Sequence, residues 1–251
     1  VLGRHEEALA LFRRAAAIEP KGWTYAANQG HALLGLDRHD EAVAAFRRAE
    51  TLRPRDPHLP YRRGEILLSH GVYDAAQEGY ERAIEMAPAW DLPRRGLIHL
   101  LYETGRWEEG LRATREAYDR WPEDGYLRYM LLANLRATGR AEEARRLALP
   151  WCEEDAPEGY YALMHAYYRA VAGKPEAARE ALAKKTDPNA STLYSIAAIH
   201  VLLGDDDAAV ACLEQSLAGG YRLAPKAVHD PDFEASDDPR IPELLERFET
   251  E

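Results

Sequence analysis

The stretch PYRRGEILLSHGVYDAAQEGYERAIEMAP, residues 60–88, decides the fold, because it holds two helical segments parted by one turn. Ser69, His70 and Gly71 form that turn. Beyond it Ala76, Tyr80 and Ala83 fall at i, i+4 and i+7, so they share one face of the second helix. Two small residues on that face let the second helix approach the first, where Gly64 sits. A glycine inside a helix costs about 1 kcal/mol against alanine, and close packing is the reason to keep one. Pro88 ends the segment, since it has no N–H with which to continue the helical ladder.

The same pattern recurs on both sides of this stretch. Pro20, Pro54, Pro88 and Pro122 stand 34 residues apart, with Ala15, Ala49, Ala83 and Ala117 in register before them. Phe12, Phe46 and Tyr80 keep the same phase, as do Ala8, Ala42 and Ala76. Turn positions follow through Gly3, Asp37, Gly71, Gly105, Gly139 and Gly173, and then Gly204 arrives three residues early, which predicts a shortened final connection. Such a period marks stacked supersecondary units, each too small to bury its apolar face alone.

Composition agrees with a soluble helical array: 251 residues, 46% hydrophobic and 30% charged. No apolar run approaches the roughly 18 residues that span a bilayer, and no secretory signal opens the chain, so a cytoplasmic location is expected. The net charge is −11, and residues 229–251 alone carry nine Asp or Glu against two Arg. A near-neutral body with an acidic tail suits neither a nucleic-acid backbone nor an anionic membrane. Cys152 and Cys212, with no CxxC or Cys/His spacing, suggest buried small hydrophobes rather than a disulfide or a zinc site.

The segments GRHEEALALFRRAAAIEP (3–20), DRHDEAVAAFRRAETLRP (37–54) and GVYDAAQEGYERAIEMAP (71–88) resemble the second helix of the tetratricopeptide repeat family. The likeness covers roughly residues 1–218 and drifts along the chain. Gly110 and Thr114 replace the usual alanine and aromatic, Ala148 stands at a later aromatic place, and Ala178 survives in the fifth unit. It implies an all-α, right-handed superhelical α-solenoid of antiparallel helix pairs. An orphan second helix (1–20) precedes pairs at about 21–54, 55–88, 89–122, 123–156, 157–188 and 189–218, about six and a half units in all. Because that first helix lacks its partner, the chain is expected to be a piece of a longer protein, and self-association through the uncovered helix is a possibility. The tail, 219–251, resembles a segment found after such arrays in bacterial proteins, through Asp230-Pro231-Asp232-Phe233 and Asp238-Pro239-Arg240. As a cap it would bury Phe233, Ile241, Leu244 and Leu245 while its acids face water.

Nothing in the sequence converges on catalysis. Nucleotide-binding loops of either Gly-rich type and a GxSxG elbow are missing from it. The acid pairs Glu6-Glu7, Glu108-Glu109 and Glu142-Glu143 recur just past turns, where carboxylates favour a helix N-terminus. One copy per repeat is structural spacing, not an active site. Of the nine histidines, His31 and His99 take one place two units apart, too distant to share a metal ion, while His5, His39 and His70 fall at expected turns. A catalytic site, a metal site and a cofactor are therefore not expected.

The resemblance assigns the concave groove to the first helix of each pair. That groove would carry Asn28 and His31, then His58, Tyr61, Arg62 and Glu65, then Arg95, His99 and Tyr102. Tyr126, Tyr129 and Arg136 would follow, and Tyr160, Tyr167 and Tyr194 would complete it. Tyrosine and arginine are the residues that binding hot spots favour. Ala27 and His31 stand where the family's carboxylate clamp needs its first polar residues, and Asn28 and Asn134 make no asparagine ladder, so neither specialised subtype fits. The function expected is a non-catalytic scaffold or adaptor holding a partner peptide. The alternative is a ligand- or peptide-sensing regulatory domain controlling a region outside this chain.

Overall fold

Each helix-ending proline acts through the residue before it, which its ring bars from the α region. In the computed structural model, Arg53, Ala87 and Trp121 repeat one geometry, with φ of −136°, −138° and −134° and ψ of 68°, 72° and 67°. The helices stop at Leu52, Met86 and Arg120, two residues before Pro54, Pro88 and Pro122. The structure describes residues 2–154, 160–184, 189–220, 230–233 and 236–250.

Fourteen helices are found among the described residues: α1 (Leu2–Ile18), α2 (Trp23–Leu34), α3 (His39–Leu52), α4 (His58–Ser69), α5 (Tyr73–Met86), α6 (Leu92–Glu103), α7 (Trp107–Arg120), α8 (Gly125–Ala137), α9 (Ala141–Trp151), α10 (Tyr160–Val171), α11 (Pro175–Ala183), α12 (Ala190–Leu202), α13 (Asp206–Ala218) and α14 (Arg240–Thr250). Turns inside pairs place Gly71, Gly105, Gly139, Gly173 and Gly204 at φ of 70–74°, and Asp37 at 56°. The left-handed region suits glycine because a Cβ meets the following carbonyl there.

Gly3 and Glu6-Glu7 mark no turn, since α1 already begins at Leu2 and carries no acid in its first turn. His5 is therefore not at a solvated turn but in α1, half-buried against Gly35, where a Cβ would come within 2.5 Å of its ring. Among the described residues α11 has nine residues where α3, α5 and α7 have 14, and the shortened connection expected before Gly204 falls partly on residues 185–188, outside the described residues. Ala178 and Ala181 are buried on α11.

The chain forms two compact units, residues 1–100 and 101–251. In the first, α1 packs on α2, α2 on α3, α3 on α4 and α4 on α5. Ala42, Ala49, Ala76, Tyr80 and Ala83 are buried, as the stripe from i to i+7 requires. Glycine on a first helix makes room for the aromatic of the second. A Cβ on Gly30 would lie 2.6 Å from the Phe46 ring, and one on Gly64 would lie 2.8 Å from Tyr80. The exposed Leu11 and Ile18 of α1 leave apolar surface uncovered.

In the second unit α8, α10 and α12 touch in succession, so the first helices form a continuous face. Where Thr114 replaces the aromatic, the space is taken by Asn134 of α8, wholly buried. Its Nδ2 donates to Met130 O at 2.8 Å, while its Oδ1 occupies the room beside Gly110, 2.6 Å from where a Cβ would stand. Asn134 thus belongs to the interior. At the end of the unit Phe233, Ile241, Leu244 and Leu245 are buried with Tyr194, Ala197, Val201, Leu213 and Leu217, and α14 packs on α13.

Candidate functional site

The tail enters the first-helix face of the second unit as a tight turn. In Asp230-Pro231-Asp232-Phe233 the amide of Phe233 donates to Asp230 O at 3.0 Å, and the amide of Asp232 donates to Asp230 Oδ1 at 3.1 Å. Aspartate first and proline second are what this turn demands, one side chain capping an amide and one ring presetting φ. Asp238-Pro239-Arg240-Ile241 repeats it, with Ile241 N to Asp238 O at 3.2 Å and Arg240 N to Asp238 Oδ1 at 2.9 Å. Both turns deliver a buried apolar residue at the fourth place, Phe233 at 4% and Ile241 at 1% exposure.

The third place separates them. Arg240 is half exposed and pairs with Asp238 and Asp207. Asp232 is 2% exposed; it accepts from Arg136 Nε on α8 at 2.7 Å and from the Tyr167 hydroxyl on α10 at 2.9 Å. Asp230, 4% exposed, accepts from the Tyr194 hydroxyl on α12 at 2.9 Å, and the Phe233 ring lies 5.1 Å from that of Tyr194. These two acids do not face water, as the sequence reading expected. Buried carboxylates need partners, and the first-helix face supplies them.

This contact also corrects the expectation that Tyr102, Tyr167 and Tyr194 line an open surface, for all three are buried. Burial, together with the charges of Asp230 and Asp232, pushes the Tyr102 phenol well up. Burial and Asp232 do the same to Tyr167. For Arg136 burial opposes the charge, but Asp232 outweighs it and raises the pKa. Tyr129 is half-buried with its ring 4.8 Å from that of Tyr167, and Tyr126 is half-buried on the same helix. The Tyr160 side chain lies outside the described residues. Asp230 and Asp232 are site residues that sequence reasoning missed.

The first unit presents a second set. His58 and Tyr61 of α4 meet Trp90, with ring centroids 4.5 and 4.8 Å apart, and Arg62 and Glu65 beside them are exposed. The Tyr80 hydroxyl donates to Glu65 Oε1 at 2.6 Å. Burial first, then Glu65 and Asp91, pushes the Tyr61 phenol up to about 12. Arg95 pairs with Asp91 at 2.9 Å, and His99 is exposed. A cleft of about 200 Å³ lies where Trp23, Asn28, His31 and Arg62 meet. Burial, Arg62 and His70 all hold the His31 imidazole below its ordinary range. Trp90 was not legible as a site residue because it lies on a connection and not on a first helix.

Other chemistry finds little purchase. Among the described residues no group of three His, Cys, Asp or Glu is placed to hold a metal ion, and no helix is long and apolar enough to cross a membrane. Burial pushes both the Cys152 and Cys212 thiols up, away from the reactive thiolate. A larger cleft of about 450 Å³ between α3 and α5 is lined by charges that satisfy one another, through Arg63 with Glu50 and Arg47 with Glu78.

Models of one family, described as tetratricopeptide repeat, match residues 1–57, 95–158 and 190–218, more than half of the chain. The chain belongs to the tetratricopeptide repeat family. It is similar in fold to the crystal structure of a tetratricopeptide repeat protein from Parabacteroides merdae, at 14% identity and TM-score 0.62, covering 98% of this chain and 93% of that one. It is also similar to a chain of the APC/C hetero-tetramer Cut9-Hcn1, at 16% identity and TM-score 0.53, covering 98% of this chain and 46% of that one. No curated protein matches it in sequence. The helical-repeat solenoid expected from the 34-residue period is the architecture of this tetratricopeptide repeat protein.

Proposed function

We propose that the chain is a non-catalytic protein-interaction module that takes a partner peptide on the first-helix face of its first unit. The observation that carries this reading is the cluster of Trp90, Tyr61 and His58, with Arg62 exposed at its edge. Aromatic rings with a polar handle and an arginine beside them supply large contact area at little entropic cost. The adjoining cleft of about 200 Å³ is smaller than the roughly 300–1,000 Å³ of small-molecule sites, which favours a peptide side chain over a free ligand. Assembly with another protein, as in the Cut9-Hcn1 hetero-tetramer, is what the family membership adds.

The test is co-purification by the whole chain against the variant Tyr61→Ala, Arg62→Ala, Arg95→Ala. We expect the variant to keep its helical circular dichroism and to lose at least one specific partner. Retention of every captured protein at unchanged yield would overturn the reading.

A further inference from the structure

The Asp230–Phe233 turn is held on the second unit as a ligand is held. Its two carboxylates and one ring are met by side chains from three successive first helices: Arg136 from α8, Tyr167 from α10 and Tyr194 from α12. Arg136 and Asp232 are mostly withdrawn from water, with side chains 16% and 3% exposed. Replacing such a buried pair by apolar residues is often neutral or stabilising, so stability alone does not call for it. What the pair does confer is selection, since an occupant without a carboxylate at the third place leaves Arg136 buried and unpaired.

The geometry points to a peptide-binding site for an acidic turn with an aromatic at its fourth place, of the form Asp-Pro-Asp-Phe. The chain's own segment is the occupant in cis, and a partner protein carrying such a turn is the occupant in trans. The cis segment is tied at one end to α13 and at the other to α14, so it acts at an effective concentration in the millimolar range. A partner therefore competes when the cis turn is weakened or when its own turn is held close by a second contact. Recognition is by charge and ring together. An Asp-Pro-Asn-Phe peptide loses the partner of Arg136, and an Asp-Pro-Asp-Ala peptide loses the ring contact with Tyr194 while keeping its hydroxyl on the first aspartate.

Fluorescence anisotropy with a labelled synthetic peptide of residues 228–235 tests this on the full chain. The variant Asp230→Asn, Asp232→Asn, Phe233→Ala should bind the peptide at least tenfold more tightly than the unaltered chain. Adding Arg136→Met, or changing the peptide's third-place aspartate to asparagine, should each weaken binding at least tenfold. A folded variant that ignores the peptide, or binds both peptides alike, would overturn the site. Should the variant fail to fold, the unaltered chain at millimolar peptide provides the second arm. A photoreactive phenylalanine at the fourth place should then crosslink to α12, in competition with the aspartate peptide but not the asparagine one, and no crosslink there would equally sink the proposal. A dimer of the unaltered chain with exchanged tails would overturn the assignment to a foreign partner, naming a second copy instead.

Discussion

Arg136 and Asp232 stand 96 residues apart in the chain and meet at 2.7 Å, Nε to Oδ1, with the Tyr167 hydroxyl on the same carboxylate. Removing one member of such a buried pair leaves the other charge uncompensated. Asp232→Asn should therefore destabilise the second unit by about 3 kcal/mol, read by urea denaturation. The double variant Arg136→Met, Asp232→Leu should recover most of that loss. Equal midpoints for Asp232→Asn and the unaltered chain would show that the pair does not hold the tail.

Close packing of α4 on α5 gives a second prediction. A Cβ on Gly79 would meet Pro60 O at 2.6 Å and Gly64 N at 2.9 Å, both backbone atoms that cannot move aside cheaply. Gly79→Ala should cost roughly 2–3 kcal/mol. Gly3, by contrast, is helical with nothing within 4 Å of its added Cβ, so Gly3→Ala should stabilise by about 0.5–1 kcal/mol. Denaturation midpoints moving in opposite directions would bear out both.

Asp37 is the one non-glycine among the described residues with positive φ, at 56°, where the later pairs use glycine. Asp37→Gly should raise the stability of the first unit by about 1 kcal/mol, and Gly71→Ala should lower it by a similar amount. Thermal melts of the two variants decide this, and a loss on Asp37→Gly would mean that the aspartate side chain contributes more than its backbone costs.

Stability should also fall in mild acid. Burial holds the His31 and His165 imidazoles below their ordinary pKa, with Arg62 and Arg169 respectively adding to the effect. The unfolded chain then binds more protons than the fold as pH drops through about 6.5, so stability is full above that value and declines below it. The variant His31→Gln, His165→Gln should flatten the curve between pH 7.5 and 5.5. An unchanged slope would place the acid sensitivity in His200, which burial also holds low, or in carboxylates.

The period of 34 made the helix pairs legible because each pair turns through a left-handed residue and packs on small residues, while α1, α3, α5 and α7 each stop two residues before a proline. The same register located Tyr61, Arg95 and Tyr129 on first helices, since position within a repeat fixes the face. What it could not supply was the occupant of that face. Asp232 and Arg136 lie in segments with unlike patterns, and no local rule relates residues so far apart. Asn134 escaped for a related reason: its burial follows from the loss of an aromatic at Thr114, a compensation between two helices that neither sequence announces alone.

Because the carboxylate that satisfies Arg136 and Tyr167 belongs to the last 20 residues of this sequence, synthesis presents the two in order. The ribosome delivers α8, α10 and α12 well before Asp232, so the nascent second unit carries an arginine and a set of tyrosines whose counterpart has yet to emerge. During that interval the face is accessible to chaperones and to neighbouring nascent chains, and it closes only once the Asp230–Phe233 turn has followed. Chains stopped just after Gly220 would keep every helix pair yet remain permanently in that early state. The Arg136–Asp232 pair thus forms only after every first helix of the second unit has been made.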